Sequence, residues 1–89
     1  MTQQDPPKIE FPCDYPVKVL GLSSADYEPT VLAIVEQHAP GFSRGRITRR
    51  ASRNSKFTAI TVFITATGPS QLEALHAQLM ATGMVKMVI

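Results

Sequence analysis

Alternating apolar residues predict a first strand over residues 15–22. Val17, Val19 and Gly21 fall on one side of such a strand, and the residues between them fall on the other side. Pro16 lacks an amide hydrogen, and a strand tolerates this loss at its start. The pattern therefore predicts a strand that begins beside Pro16.

A helical pattern replaces the alternation after residue 26. The apolar stripe recurs at spacings of three and four residues and consists of Tyr27, Val31, Ile34, Val35 and His38. Asp26 is the expected N-cap, because its short side chain can accept a hydrogen bond from the first helical turn. Pro40 and Gly41 are expected to end the helix.

The middle of the chain predicts a β-hairpin over residues 45–66. Its second strand, residues 56–66, alternates regularly and is rich in β-branched residues. Its first strand lies in a polar stretch with weaker alternation. Asn54 and Ser55 are expected to form the turn between the two strands.

A second helix and a last strand complete the chain. Ser70 and Glu73 match the capping box S-x-x-E. The apolar stripe that follows consists of Leu72, Leu75, His76 and Leu79. Gly83 is expected to end this helix in a left-handed conformation. Residues 84–89 predict a short apolar strand that is interrupted by Lys86.

The order of elements is β-α-β-β-α-β, the ferredoxin-like arrangement of the α+β class. Because both crossovers must be right-handed, both helices lie on one face of a four-stranded antiparallel sheet, for which we expect the strand order 4-1-3-2. The length suits one domain, placed at residues 15–89 after an extended arm of residues 1–14. The predicted core residues are Val17, Val19, Ile60, Val62, Ile64, Val85 and Met87 of the sheet, with Val31, Ile34, Val35, Leu72, Leu75 and Leu79 of the helices.

The other face of the sheet has no helix to cover it. Its predicted residues are Lys18, Leu20, Phe57, Thr61, Phe63, Lys86 and Val88. A contiguous apolar patch on such a face is typical of a binding surface. We expect the N-terminal arm, a second copy of the chain or a partner protein to cover it. The candidate interaction residues are Lys18, Leu20, Phe57, Phe63 and Lys86.

Composition narrows the class of protein. Hydrophobic residues make up 44% and charged residues 18%, as in a folded globular chain. No apolar run approaches the ~20 residues of a membrane span, and the N-terminus lacks the apolar core of a signal peptide. Because Cys13 is the only cysteine, no internal disulfide can form, and we expect a cytoplasmic protein with no membrane partner.

Residue types that carry out catalysis are few and scattered. His38 and His76 lie on different predicted helices and Cys13 lies in the arm, so no nucleophile has a base beside it. The same residues lack the spacing of a metal site, and no glycine-rich phosphate loop follows a strand. We therefore expect no catalytic site, no metal and no cofactor, and we predict that the protein is not an enzyme.

Six of the nine basic residues fall in one segment that contains no acidic residue: Arg44, Arg46, Arg49, Arg50, Arg53 and Lys56. One hypothesis is a hairpin that grips the phosphate backbone of a nucleic acid. The alternative is protection of an edge strand, since charge there prevents unwanted strand pairing. The third strand, KFTAITVF, lacks the glycine and the paired aromatics of the RNA-recognition module, so nucleic-acid contact would be mainly electrostatic.

Four motifs of the chain resemble the YbeD-like family of small bacterial proteins. They are Phe11-Pro12, Lys18-Val19-Leu20-Gly21, His38-Ala39-Pro40-Gly41 and Val85-Lys86-Met87-Val88-Ile89. The resemblance extends from Phe11 to Ile89. It departs from the family form in the hairpin, which is longer here and richer in arginine.

The resemblance implies a βαββαβ fold similar to the ACT-type regulatory domains of amino-acid metabolic enzymes. Those domains bind small effectors where two copies pair, beside a glycine-bearing turn after the first strand. The matching positions here are Gly21, Ser23 and Ser24, next to a helix start that can receive a carboxylate. A strand-end glycine followed by an ordinary serine cap accounts for the same residues. The family's genes often neighbour lipoate-attachment genes, which implies a link to lipoate metabolism.

Two functional hypotheses follow from these observations. The first is a non-enzymatic regulatory or protein-interaction domain, with a small effector sensed in the manner of ACT domains. The alternative is a nucleic-acid binder that uses the arginine-rich hairpin of residues 44–56. Gel-filtration mass separates them, because an effector site between copies requires a dimer and a hairpin that grips phosphates does not.

Overall fold

The computed structural model describes residues 10–89. Its elements are the strand β1 (Cys13–Leu22), the helix α1 (Tyr27–His38), a 3-10 turn (Arg44–Arg46), the strands β2 (Thr48–Ala51) and β3 (Phe57–Ala66), the helix α2 (Pro69–Ala81) and the strand β4 (Val85–Val88). The four strands form one antiparallel sheet with the order β2-β3-β1-β4. The predicted fold class, element order and strand order are confirmed.

The core lies between one face of the sheet and the two helices. Its buried residues are Val17, Val19, Ile60, Val62, Ile64 and Val85 of the sheet, Tyr27, Val31, Ile34, Val35, Leu75 and Leu79 of the helices, and Ala39 and Phe42 after α1. Burial of this apolar surface is the main favourable term that holds the layers together. Phe42 was not predicted in the core, because it follows the helix-ending Pro40 and Gly41 and belongs to no periodic stripe.

Because of a β-bulge in the last strand, two residues lie on the sheet face opposite to the one predicted for them. Leu20 pairs with Met87 whereas Gly21 pairs with Val85, so β4 carries an extra residue at Lys86. The extra residue reverses the alternation of side chains beyond it. Met87, predicted to lie under the helices, therefore lies on the uncovered face and is 48% exposed. Val88, predicted on the uncovered face, packs against the core instead.

The helix ends differ from the predicted caps in detail. Asp26 stands at the N-cap of α1, but its carboxylate makes no capping hydrogen bond. The capping box predicted at Ser70 is wrong, because α2 begins one residue earlier with Pro69 at its first position. Proline suits that position since the amide hydrogen it lacks would have no helical partner. Gly83 follows α2 with φ of +77°, which confirms its predicted left-handed conformation.

The first strand begins earlier than predicted. β1 starts at Cys13, so Cys13 and Asp14 belong to the sheet and not to the arm. Residues 1–9 of the predicted arm lie outside the described residues. The arm's docking against the sheet therefore stays a prediction.

Candidate interaction face

The sheet face opposite the helices, here called the open face, is set by strand register. Leu20 pairs with Ala59 and Met87, Leu22 pairs with Phe57, and Pro16 pairs with Phe63. Residues paired across neighbouring antiparallel strands point to the same side of the sheet. The open face is therefore formed by Asp14, Pro16, Lys18, Leu20 and Leu22 of β1, Thr48 and Arg50 of β2, Phe57, Ala59, Thr61, Phe63 and Thr65 of β3, and Lys86 and Met87 of β4.

Both phenylalanines of the open face lie under cations. The guanidinium carbon of Arg46 is 4.0 Å from the centroid of the Phe63 ring. The ammonium groups of Lys56 and Lys86 are 5.7 Å and 5.4 Å from the centroid of the Phe57 ring. Such contacts are attractive because the face of an aromatic ring carries partial negative charge. The aromatic residues of this face are therefore presented together with positive charge.

One end of the open face contains a shallow cleft with a volume of about 370 Å³. We call it the Phe57 cleft. Its lining residues are Leu22, Lys56, Phe57, Gly83, Met84, Val85 and Lys86. The lining contains two lysines and no carboxylate. Leu22 beside the cleft is 44% exposed, so apolar surface and positive charge reach solvent at the same place.

The charges of the open face are mostly positive. Lys18, Arg50 and Lys86 lie on it, and within residues 10–89 none of them takes part in an ion pair. Asp14 is the carboxylate on this face, and Arg46 binds it with two nitrogens at 3.1 Å and 3.0 Å. The charges of Arg46 and Asp14 therefore offset each other. The remaining cations leave the face with a net positive charge.

The arginine-rich segment is divided between different surfaces of the domain. Arg46 and Arg50 belong to the open face, whereas Arg49 points toward the helices, since its partner in β3 is the buried Ile60. Successive residues of a strand point to opposite faces, so β2 separates neighbouring arginines. Arg44 lies over the ring of Phe42, with its guanidinium carbon 4.7 Å from the centroid.

Three of the arginines are held by carboxylates. Arg49 donates to both oxygens of Glu28 on α1, at 2.5 Å and 2.7 Å. Arg44 donates to Glu36 at 3.2 Å, and Arg46 binds Asp14 as described above. The Arg49 guanidinium lowers the pKa of the Glu28 carboxyl, chiefly through the hydrogen bond between them. Arg53 and Lys56 at the hairpin turn form no ion pair within residues 10–89.

The predicted effector residues Gly21, Ser23 and Ser24 lie at the end of β1 and in the connection to α1, where Gly21 is buried and both serines are exposed. Gly21 lies within β1 directly beneath Tyr27, where a Cβ atom would come within 2.5 Å of the Tyr27 ring. The Ser23 hydroxyl is 2.6 Å from the hydroxyl of Thr58. Ser24 is exposed, and its carbonyl accepts a hydrogen bond from the Tyr27 amide at 3.3 Å. Packing and local hydrogen bonds thus account for Gly21 and Ser23.

The two histidines differ in their surroundings. The Nε2 atom of His38 is 2.6 Å from Oε1 of Gln78, and the Gln71 side chain donates to the His38 carbonyl at 2.9 Å. These bonds connect the end of α1 to α2. His76 is exposed on α2, apart from this network. In the part of the chain that the structure describes, no three His, Cys, Asp or Glu side chains lie close enough to hold a metal ion.

The element order and the strand order define a domain of the ferredoxin-like class. The domain has two layers, a four-stranded antiparallel sheet and a pair of helices. Among the described elements, none covers the open face of the sheet. Over residues 10–89, no helix is long and apolar enough to cross a membrane.

The chain belongs to the family described as protein of unknown function (DUF493), whose model matches residues 6–89. The resemblance seen in the sequence is thereby confirmed. A UPF0250 protein of Ectopseudomonas mendocina is 45% identical over 92 residues and is covered completely, as is this chain. A UPF0250 protein of Azotobacter vinelandii is 44% identical, with 99% of this chain and 97% of the relative covered.

Solved structures support the fold. Protein HP0495 of Helicobacter pylori superposes with a TM-score of 0.76 at 17% identity, over 99% of this chain and 98% of that one. The ACT domain of the GTP pyrophosphokinase of Chlorobium tepidum superposes with a TM-score of 0.67 at 13% identity, over 86% of this chain and 97% of that one. At these identities, the likeness shows the shared fold.

Proposed function

We propose that this domain is a non-enzymatic regulatory module that binds a protein partner through the open face of its sheet. The observation that carries the proposal is the grouping of exposed apolar and basic side chains on that face. Leu22 and Met87 are 44% and 48% exposed there, next to the lysine-flanked Phe57. Exposed apolar side chains that lie together with unpaired cations are typical of a surface that is buried on binding.

Charge favours a partner with acidic and apolar side chains over a second copy of this chain. In a symmetric dimer through the open face, the same patch would meet itself. The positively charged surface of one copy would then face that of the other, and like charges brought together at an interface cost free energy. An acidic partner would instead gain from Lys18, Arg50 and Lys86.

The absence of enzymatic activity is part of the proposal. The carboxylates of Asp14, Glu28 and Glu36 are bound by arginines, and His38 is bound by Gln78. A general acid or base must be within reach of a reacting group, and these side chains are directed at one another or at the protein's own surface. Their arrangement supports a structural role.

Met87→Gln is expected to remove a bound partner, because it places an amide where the partner's apolar surface would lie. The experiment compares the proteins that co-purify with the wild-type chain, with Met87→Gln and with Met80→Gln. Met80 is the matched control, since it is 40% exposed but lies on α2. A partner lost with Met87→Gln and kept with Met80→Gln supports the proposal.

Two results would contradict the proposal. One is a partner whose recovery falls equally with Met80→Gln and Met87→Gln, because the helical surface would then matter as much as the open face. The other is a mass of two chains for the purified protein in sedimentation equilibrium, lost with Met87→Gln alone. That result would make a second copy the occupant of the face.

The nucleic-acid hypothesis makes a separate prediction about salt. Arg44, Arg46 and Arg49 are held by carboxylates on different surfaces, which leaves three cations of the segment for phosphates. The affinity for a short single-stranded RNA should therefore fall with salt with a log–log slope of no more than about 2, where all six cations would give about 4. Fluorescence anisotropy at several salt concentrations measures this slope. A slope near 4 would show that the whole segment binds the nucleic acid and would favour the alternative function.

Small-effector sensing and its link to lipoate metabolism rest on the family resemblance. They remain part of the proposal as a second ligand of the same domain. Titration of lipoate and of amino acids into isotope-labelled protein tests them. Amide shifts that saturate at Gly21, Ser23 and Ser24 would support the effector turn predicted from the family, and their absence would remove it.

A further inference from the structure

We infer that the Phe57 cleft is a binding site for a small organic anion, with a phosphate or carboxylate head and a flat apolar body. The inference concerns a free ligand and the purified chain. The cleft shares Leu22, Phe57 and Lys86 with the surface proposed for a protein partner, but binding of a free ligand is measured without that partner, so either proposal can fail without the other.

The positive charge of the cleft is concentrated around one ring. The Lys56 ammonium lies 5.7 Å and the Lys86 ammonium 5.4 Å from the centroid of Phe57. The two lysines come from different parts of the chain. Lys56 lies in the turn between β2 and β3, and Lys86 lies at the bulge of β4. Neither has a carboxylate partner within residues 10–89. A bound anion would interact favourably with both ammonium groups and would offset the repulsion between them.

The backbone holds this arrangement in place. Lys86 follows the buried Val85 and therefore lies on the open face. The bulge in β4 keeps the next residue, Met87, on that same face. Gly83, with φ of +77°, ends α2 and starts the chain's return along the cleft. The hairpin turn before Phe57 is tied by hydrogen bonds, among them the Lys56 amide to the Asn54 side-chain oxygen at 3.1 Å.

The floor of the cleft is apolar and therefore favours a ligand with an apolar body. Phe57 and Leu22 are paired neighbours on the open face, and Met84 and Val85 close the side. This floor can cover an apolar body, which inorganic phosphate does not have. The volume of about 370 Å³ is enough for a small ring with its charged group. Shape and charge together therefore select an anion that carries apolar surface.

The start of α1 is a poorer site for the same ligand. A helix N-terminus attracts anions, but Asp26 stands at the N-cap and Glu28 lies in the first turn. The Asp26 carboxylate repels an approaching anion, whereas Glu28 is already paired with Arg49. The Phe57 cleft has no carboxylate in its lining, so an organic anion is expected there and not at the helix.

Phenyl phosphate is the probe that tests the inference. Inorganic phosphate, which has the charge without the ring, and benzyl alcohol, which has the ring without the charge, are the two control compounds. Each of the three is titrated into the isotope-labelled full chain at constant ionic strength and at a pH near 8, where phenyl phosphate is a dianion. We expect saturating amide shifts at Leu22, Phe57 and residues 84–86. The affinity should exceed that of either control compound by at least about tenfold, because both the ring and the charge contribute.

The variant Lys56→Gln/Lys86→Gln should weaken the binding of phenyl phosphate by at least about tenfold. Lys18→Gln is the matched control, since Lys18 lies on the same face outside the cleft, and it should change the affinity less than twofold. Equal binding by the double variant would overturn the inference. So would saturating shifts at the start of α1 in place of the cleft, equal affinity for inorganic phosphate, or no saturation with phenyl phosphate.

Discussion

Replacing Gly21 with alanine is expected to destabilise the domain by about 3 kcal/mol, which lowers the melting temperature by roughly 10–20 °C. The added Cβ atom would lie 2.5 Å from Cε1 of Tyr27 and 2.6 Å from the Met84 carbonyl oxygen. Neither neighbour is free to move away. Tyr27 is buried and hydrogen-bonded, and the Met84 carbonyl accepts a hydrogen bond from the Leu22 amide at 3.0 Å.

Gly45→Ala is the matched control for this prediction. No atom lies within 4 Å of a Cβ built at Gly45, and its backbone is not left-handed. Its stability should therefore change by less than about 0.5 kcal/mol. Thermal unfolding followed by circular dichroism measures both variants. Equal melting temperatures for Gly21→Ala and Gly45→Ala would show that Tyr27 does not pack on Gly21 in this way.

The stability of the wild-type protein is expected to fall by about 2 kcal/mol between pH 10 and pH 12 because of Tyr27 alone. The Tyr27 hydroxyl is 2.9 Å from the carbonyl oxygens of both Val19 and Thr58, to which it donates its proton. Burial raises the pKa of Tyr27 from 10.0 to about 12. The unfolded chain therefore loses this proton near pH 10 while the folded chain keeps it. Below pH 10 both states are protonated, and Tyr27 adds no pH dependence.

Tyr27→Phe isolates this contribution. At neutral pH the variant should be less stable by about 1–3 kcal/mol, because the two carbonyls lose their buried donor. Its stability should then change less than that of the wild type between pH 10 and pH 12. Urea unfolding at a series of pH values gives both quantities. Parallel curves for the two proteins across this range would contradict the burial and bonding of Tyr27 described here.

The fold was predictable because its signals are local. The stripes of α1 and α2 and the alternation of β3 each repeat within one element, and handed crossovers then leave few topologies. Met87 and Val88 were assigned to the wrong faces because the bulge adds a residue through strand pairing, which alternation along one strand does not record. Phe42 was missed because it joins the core from a loop.

The open face was predictable from the same alternation, but the Phe57 cleft was not. Its lysines are far apart in sequence and meet only through the pairing of β1 with β3 and β4. The sequence also indicated that the arginine-rich segment would be divided between two faces of the sheet. Arg49 and Arg50 are neighbours in a predicted strand and had to point to opposite faces, although their carboxylate partners lie on other elements.

For an anionic ligand, the open face is a more favourable place than the start of α1. The Asp26 carboxylate at the N-cap makes the start of α1 unfavourable for anions, and Glu28 in the first turn is already paired with Arg49. Lys18, Arg50 and Lys86, with the exposed Leu22 and Met87, lie on the opposite side of the sheet. We therefore expect binding at the open face, whereas the helix-covered face of the sheet holds the core.

The most direct test of this expectation is photo-crosslinking in living cells. The photoreactive amino acid p-benzoylphenylalanine is placed at position 87 on the open face or at position 80 on α2, both exposed in the wild type. We expect a crosslinked protein partner at position 87, attached through an acidic and apolar segment, and none at position 80. Crosslinks that form at position 80 and not at position 87 would contradict the account and would place the binding surface on the helices.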